Sequence, residues 1–175
     1  MFAAFPNWYA TLFSGFYIPF VFALLALIAR GVAFEFRGKR DSLAWRRTWD
    51  ACIFFGSFLP PFLLAVVFAS FIKGLPIDAD MQMYAGFTDI VNVYTVVAGI
   101  TVVMLCLVHG LMFTTLRTVG DLQIRARKLA QKLLLPLGAL LLAFVIMTYF
   151  MTDVFDVHGT LLLIVVILGI VAYVL

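Results

Sequence analysis

The sequence predicts an all-α integral membrane protein with about five transmembrane helices, which form part of a larger helical bundle. Its 175 residues are 65% apolar and 12% charged, with a mean hydropathy of +1.14. Soluble domains carry roughly 25% charged residues. Eleven of the twelve Lys and Arg residues also fall in two short stretches, 30–47 and 117–132, which alternate with long apolar runs. Apolar spans separated by basic loops are typical of a multi-pass membrane protein.

Five apolar segments are predicted as spans, all within a single membrane domain. They cover approximately residues 12–34, 49–72, 90–116, 129–151 and 160–175. A bilayer core about 30 Å thick needs roughly 20 helical residues, so the first four are long enough and the last is marginal. Helices are expected because backbone groups inside a bilayer need hydrogen-bond partners within their own segment.

Prolines predict bends in three of these helices. Pro60 and Pro61 lie inside the second segment and Pro136 inside the fourth. Pro19 lies near the start of the first segment, where a weaker effect is expected. A proline removes one backbone hydrogen bond and crowds the preceding turn.

Capping residues suggest where the helices begin. Asp50 is a candidate N-cap for the second segment, and Thr88 or Asp89 for the third. Gly120 followed by Asp121 predicts a helix end and a new start. Residues 121–131 are then expected to form a basic helical lead into the fourth segment, at the level of the lipid headgroups.

The charge distribution predicts an orientation. Basic loops mark the cytoplasmic side of a bilayer, so the loop after the first segment and the loop after the third are expected inside. The alternating loops carry acidic residues and are expected outside: Asp78, Asp80, Asp89, Asp153 and Asp156. The N-terminus is then outside and the C-terminus inside. Trp45 and Trp49 would belong to the inner aromatic belt.

Four ionisable residues are the candidates for a functional role, because charges are costly near a bilayer core. Arg30 closes the first segment and Glu35 follows it; together they could face a partner subunit, an anionic cofactor group or a proton path. The alternative for this cluster is ordinary snorkelling. Asp50 is a further candidate, with capping as its alternative. For His109, the interpretations are haem or metal ligation, a proton relay, or a hydrogen bond between helices.

Other chemistry finds no support in the sequence. Cys52 and Cys106 lie in apolar runs and form neither a disulfide framework nor a metal motif. No nucleotide-binding or metalloprotease motif is present, and no basic stripe with interleaved aromatics suggests a nucleic-acid partner. The residues alone do not define an active site.

Three stretches resemble one family. Residues 1–20 run MFAAFPNWYATLFSGFYIPF, residues 30–57 run RGVAFEFRGKRDSLAWRRTWDACIFFGS before Phe58-Leu59-Pro60-Pro61, and residues 116–130 run LRTVGDLQIRARKLA. In this order and spacing they resemble subunit II of the cytochrome bd-type quinol oxidases. The resemblance covers roughly the first 130 residues, and the remainder matches in hydropathy only.

The resemblance implies a subunit of a respiratory enzyme in the bacterial cell membrane that oxidises ubiquinol or menaquinol and reduces oxygen to water. The partner subunit I would carry the b- and d-type haems and the quinol site, and a small accessory subunit could be present. This chain would then ligate no haem or metal and would support haem assembly and proton delivery. Arg30 is the leading candidate for a required charge; Glu35 and Asp50 are weaker ones.

Two further interpretations remain open. Family members are considerably longer, so the chain is expected to be an interior portion of a longer subunit, or a truncated product. A transporter or channel fragment is the alternative from another class, because proline-broken helices and an internal histidine also occur in transporters.

Overall fold

The computed structural model describes residues 4–78 and 83–152, together with isolated positions between 159 and 169. Within residues 4–152 the described chain forms six helices: α1 (Pro6–Gly15), α2 (Tyr17–Phe36), α3 (Leu43–Lys73), α4 (Phe87–Ile90), α5 (Val93–Arg117) and α6 (Asp121–Met151). The only β-type pairing in this described part is one antiparallel bridge between Ile77 and Met83. The predicted all-α class is confirmed.

Four of these helices, α2, α3, α5 and α6, are long and apolar enough to cross a membrane. They correspond to the first four predicted segments. Helices α3 and α6 begin six and eight residues before the predicted limits, whereas α2 and α5 begin five and three residues after them. The fifth predicted span, 160–175, falls outside the described residues except at a few isolated positions, so it stays a prediction.

The first predicted segment is divided into two helices. Helix α1 already begins at Pro6, a residue type that suits the first helical position. The break lies at Phe16, which has φ −103° and ψ 24°. Pro19 follows three residues later and has no N–H to offer the Gly15 carbonyl. The structure thus has an interruption of the helix at Phe16, about one turn before Pro19, at the position where the proline leaves a carbonyl without its helical partner.

The predicted capping role of Asp50 is wrong. Helix α3 begins at Leu43, with Ser42 at the N-cap position, so Asp50 lies two turns inside the helix. Its carboxylate instead accepts hydrogen bonds from Arg37. Residues 43–48, which precede the apolar run, are also helical, so α3 begins before the hydrophobic segment.

The cap predicted for the third segment is also wrong. Asn92 caps α5: its side chain accepts a hydrogen bond from the Thr95 N–H at 3.2 Å, and the Thr95 hydroxyl accepts one from the Asn92 N–H. Asp89 caps the short helix α4, where it accepts from the Gly86 N–H at 2.9 Å. The two helices are separate because the backbone becomes extended at Val91.

The predicted start at Asp121 is confirmed. Gly120 adopts a φ of 79°, which glycine reaches without steric cost, and α6 runs without interruption from Asp121 to Met151. The basic lead and the fourth span are thus one helix. Helices α3 and α6 also continue through their prolines, and bends at these prolines stay predictions.

The long helices pack in series, α2 on α3, α3 on α5 and α5 on α6. Small residues make the first two contacts close. A Cβ at Gly56 would lie 2.6 Å from the Ala26 carbonyl oxygen and 2.6 Å from the Arg30 Cβ, and a Cβ at Gly99 would lie 2.6 Å from the Phe62 ring. Close backbone approach at small residues is the usual way in which membrane helices associate.

The contact between α5 and α6 is made by larger side chains. Tyr94 is fully buried, stacks on Phe144 with ring centroids 5.3 Å apart, and its hydroxyl lies 3.1 Å from that of Thr148. Ala69 of α3 and Ala98 pack against the same cluster. This small core therefore joins three helices near the beginning of α5.

Candidate functional site

Three of the four predicted site residues lie in the two helices that this turn joins, Arg30 and Glu35 in α2 and Asp50 in α3. An ion pair closes the turn between them. The Arg37 Nε lies 2.5 Å from the Asp50 Oδ1, and the Arg37 Nη2 lies 3.3 Å from Oδ2. This two-point geometry is the stronger form of an arginine–carboxylate contact. Hydrogen bonding to Asp50 raises the pKa of Arg37 above its ordinary value.

An aromatic cluster supports the same turn. The Trp45 indole N–H donates to the Phe36 carbonyl at 2.8 Å, which caps the end of α2. The Trp49 ring lies 5.6 Å from Phe36 and 5.5 Å from Trp45, measured between centroids. The Arg40 guanidinium lies 4.9 Å from the Trp45 ring, within the range of a cation–π contact.

Two further ion pairs neutralise charges at the surface. Lys39 Nζ lies 3.1 Å from Glu35 Oε1, one helical turn apart, and Arg46 Nη2 lies 2.7 Å from Asp41 Oδ1. Glu35 is therefore an exposed, paired residue. In the described part of the chain, these pairs leave the guanidinium of Arg30 without a carboxylate.

Arg30 lies half-buried where α2 contacts α3. Its guanidinium lies 5.7 Å from the ring of Phe34, one helical turn further along α2. Its Nε is buried and has no hydrogen-bond partner among the described residues, and the same is true of the Trp49 Nε1. A buried donor without an acceptor costs about 1–3 kcal/mol. Both groups are thus suited to a carbonyl or carboxylate from outside the described residues.

A groove of about 570 Å³ runs between α2 and α3, and its lining includes Ala29 and Thr48, the residues that precede the two donors in the sequence. Its lining is mostly apolar, with one hydroxyl and one thiol: Phe22, Leu25, Ala26, Ala29, Thr48, Ala51, Cys52, Phe55, Gly56 and Leu59. The groove exists because Ala26 and Gly56 bring the helices together while longer side chains stand on either side. Its size suits the side chains of a neighbouring helix.

His109 lies apart from this turn. It is exposed on α5, and no hydrogen bond from its imidazole to another described helix is formed. Residues 4–78 and 83–152, with the isolated later positions, contain no group of three or more His, Cys, Asp or Glu side chains placed to hold a metal ion. The proposed roles of His109 therefore stay predictions.

Comparison with known proteins assigns the family. A model of the cytochrome bd terminal oxidase subunit II family matches residues 1–175. The chain belongs to the cytochrome bd terminal oxidase subunit II family. The transporter or channel alternative finds no support in this match.

Curated members of the cytochrome bd subunit II family support the assignment. The chain is 57% identical over 159 residues to the cytochrome bd ubiquinol oxidase subunit 2 of Bacillus subtilis, which covers 91% of the chain and 47% of that relative. It is 38% identical over 135 residues to the cytochrome bd-I ubiquinol oxidase subunit 2 of Escherichia coli K12, which covers 75% of the chain and 36% of that relative. The probable cytochrome oxidase subunit 2 of Haemophilus influenzae is 35% identical over the same length. The chain thus spans half or less of the length of these relatives.

Within this subunit II fold, two features were missed by sequence analysis. Trp49 was interpreted only as an interfacial aromatic residue, and its buried N–H requires knowledge of the packing around it. The ion pair between Arg37 and Asp50 had a usable signal, since opposite charges flank a short turn between two helices. Because Asp50 was interpreted as a helix cap, its pairing with Arg37 was not predicted.

Proposed function

We propose that this chain is the part of a quinol oxidase subunit II that packs against a haem-bearing subunit I in a respiratory complex reducing oxygen to water. The match to the family over the whole chain supports this proposal most strongly. The complex would use haem groups and quinol, with haem b and haem d in the partner subunit and ubiquinol or menaquinol as the substrate. A small accessory subunit could complete it.

The turn between α2 and α3 supplies the proposed contact with the partner. Arg30 Nε and Trp49 Nε1 are two buried donors without an acceptor among the described residues, and the groove between the same two helices is open and mostly apolar. In this proposal a helix of subunit I fills the groove and presents a carbonyl or carboxylate to Arg30. Haem, when bound in the partner, supplies the electron transfer and oxygen chemistry.

The four candidate charges then have different proposed roles. Arg30 is the required charge, because it alone combines a buried donor with the helix contact. Asp50 fixes the turn through Arg37, and Glu35 forms a surface pair with Lys39. His109, exposed on α5, is left as the candidate for a proton relay toward the partner or the membrane surface.

The proposed location is the bacterial cell membrane, with the N-terminus of this chain outside and its C-terminus inside. The apolar helices support a multi-pass membrane protein. The basic residues near the α2–α3 and α5–α6 turns support the inside placement of both turns.

The test is to express the complete subunit, affinity-tagged, from its own genome. We expect a haem-bearing partner to co-purify with it and the complex to show quinol-dependent oxygen uptake. A strain carrying a deletion of the gene should lose that activity and regain it with the restored gene. Isolation of the complete subunit without any haem protein, or unchanged quinol oxidation in the deletion strain, would contradict the proposal.

A further inference from the structure

A pocket of about 460 Å³ lies where the end of α5 meets the beginning of α6. Four of its lining residues present polar groups: Thr115, Gln123, Arg127 and Gln131. The pocket is open to the surface and lies at the same end of α5 as Arg117 and the basic lead of α6. It is separate from the groove between α2 and α3.

The polar residues form a stripe along one face of α6. Gln123, Arg127 and Gln131 recur every four residues, which places them one above another on the helix. The stripe extends over about 12 Å, at roughly 1.5 Å per residue. The Gln123 side-chain amide donates to the Thr115 carbonyl at 3.0 Å, so α5 holds the first residue of the stripe in place. Arg127, the next residue of the stripe, lines the pocket.

The charge around the pocket is strongly positive. Residues 121–132 of α6 carry Arg125, Arg127, Lys128 and Lys132, whereas Asp121 is the only carboxylate in the whole helix. Arg127 forms no ion pair with a carboxylate in the described part of the chain. A guanidinium presents paired donors that match phosphate oxygens, so an anion is the ligand that this side of the pocket favours.

The other side of the pocket is apolar. Met112 and Leu116 of α5 and Leu134 of α6 line it. A soluble anion gains nothing from such a surface, whereas a lipid acyl chain does. Basic pockets between membrane helices on the cytoplasmic side commonly bind anionic lipid headgroups.

We propose that this pocket binds one anionic phospholipid, with the phosphate held by Arg127 and Gln131 and an acyl chain lying along Met112 and Leu116. The combination of an unpaired guanidinium and an apolar wall in one pocket carries the proposal. The assignment to the inner leaflet rests on the proposed orientation, whereas the binding of the lipid does not. A topology test with the opposite result would therefore change the leaflet but would not contradict the lipid site.

The experiment measures binding of phosphatidylglycerol to the complete, purified complex, for example by native mass spectrometry with titrated lipid. Arg127→Gln should weaken phosphatidylglycerol binding about five- to tenfold, as expected for one lipid-facing arginine. Arg125→Gln is the matched control, because Arg125 has the same charge on the same helix and does not line the pocket. It should bind nearly as the unaltered complex does. Phosphatidylcholine should bind weakly to all three.

Three results would overturn the proposal. Equal weakening by both variants would indicate a diffuse cationic surface. Displacement of the lipid by inorganic phosphate at similar concentration would indicate a site for a soluble anion. Phosphatidylcholine binding as tightly as phosphatidylglycerol would remove the role of charge. If the Arg127→Gln complex does not assemble, Arg127→Lys provides the test: it keeps the charge but loses the paired donors of the guanidinium. It should bind phosphatidylglycerol more weakly than the control Arg125→Lys does, and equal binding by the two variants would overturn the proposal.

Discussion

Arg30 is held by contacts on two sides. Its Cβ lies against Gly56 of α3, at the point where any larger residue would collide, and its guanidinium lies over the Phe34 ring. The Nε between these contacts is buried and lacks an acceptor among the described residues. A snorkelling arginine keeps its charged head in water, so this geometry favours a specific partner for Arg30 over simple snorkelling.

Arg30→Ala in the complete complex should lower quinol-dependent oxygen uptake or haem content by roughly tenfold, the scale expected when one buried charged hydrogen bond is lost. Arg47→Ala is the control, because Arg47 is exposed on α3 and forms no ion pair in the described part of the chain. It should behave as the unaltered complex. Normal haem spectra and turnover in Arg30→Ala would reject a required role for this arginine.

His109 gives the opposite expectation. Because it is exposed and no ligand group of three acidic, histidine or cysteine side chains surrounds it in the described residues, His109→Ala should leave the absorption spectrum of the complex unchanged. A relay role would instead appear as slower turnover with normal haem content. Disappearance of one haem band would show that His109 is a ligand after all.

Gly56 tests the helix contact itself. Gly56→Ala would place a methyl group 2.6 Å from the Ala26 carbonyl oxygen and the Arg30 Cβ, and overpacking of this kind costs about 1–3 kcal/mol. We expect a lower thermal midpoint of the purified complex. Gly110→Ala is the matched control: Gly110 lies inside α5 with open space around it, so alanine should be neutral or stabilise by up to about 1 kcal/mol. Equal midpoints for the two variants would contradict close packing at Gly56.

At the scale of elements, the ion pair between Arg37 and Asp50 is expected to stabilise the turn between α2 and α3. Asp50→Asn should loosen the turn and speed trypsin cleavage after Lys39 and Arg40 several-fold in the detergent-purified complex. The difference in cleavage rate between the variant and the unaltered protein should become smaller at high salt, because salt screens the ion pair in the unaltered protein. Asp41→Asn is the control, since it removes a fully exposed carboxylate from a neighbouring pair. Cleavage rates that do not differ between the two variants would count against the role of Asp50.

The existence of the four long helices was predictable, whereas most of their ends were not; the start of α6 at Asp121 is the exception. Long apolar runs identified α2, α3, α5 and α6 because bilayer thickness fixes the length of a span. The ends depend on local hydrogen bonds that compete closely: Asn92 rather than Asp89 caps α5, because Val91 adopts an extended conformation between them. Asp50 has the right residue type for a cap, but the helix begins seven residues earlier, and only the position of Arg37 shows its role.

At the scale of the whole molecule, the four long helices pack in a row, and they differ in how much of their apolar surface is buried by neighbouring helices. In the apolar windows of α3 and α5, 28% and 22% of residues are buried, against 11% and 6% in α2 and α6. Helices α2 and α6 therefore present most of their apolar surface outward, to lipid or to other helices of the complex. The sequence could predict the apolar spans but not this order, which depends on where small residues such as Gly56 and Gly99 permit contact.

The proposed orientation places the turn between α2 and α3 and the segment before α4 on opposite sides of the membrane. Two single cysteine substitutions can test this. In a background with Cys52→Ala and Cys106→Ala, Gly38→Cys places a thiol in the turn between α2 and α3, and Gly86→Cys places one before α4. Both positions have room for the new side chain. If basic turns are retained inside, a membrane-impermeant maleimide should label Gly86→Cys in intact cells and Gly38→Cys only after permeabilisation. The reverse pattern would invert the proposed topology, and with it the leaflet of the Arg127 lipid site.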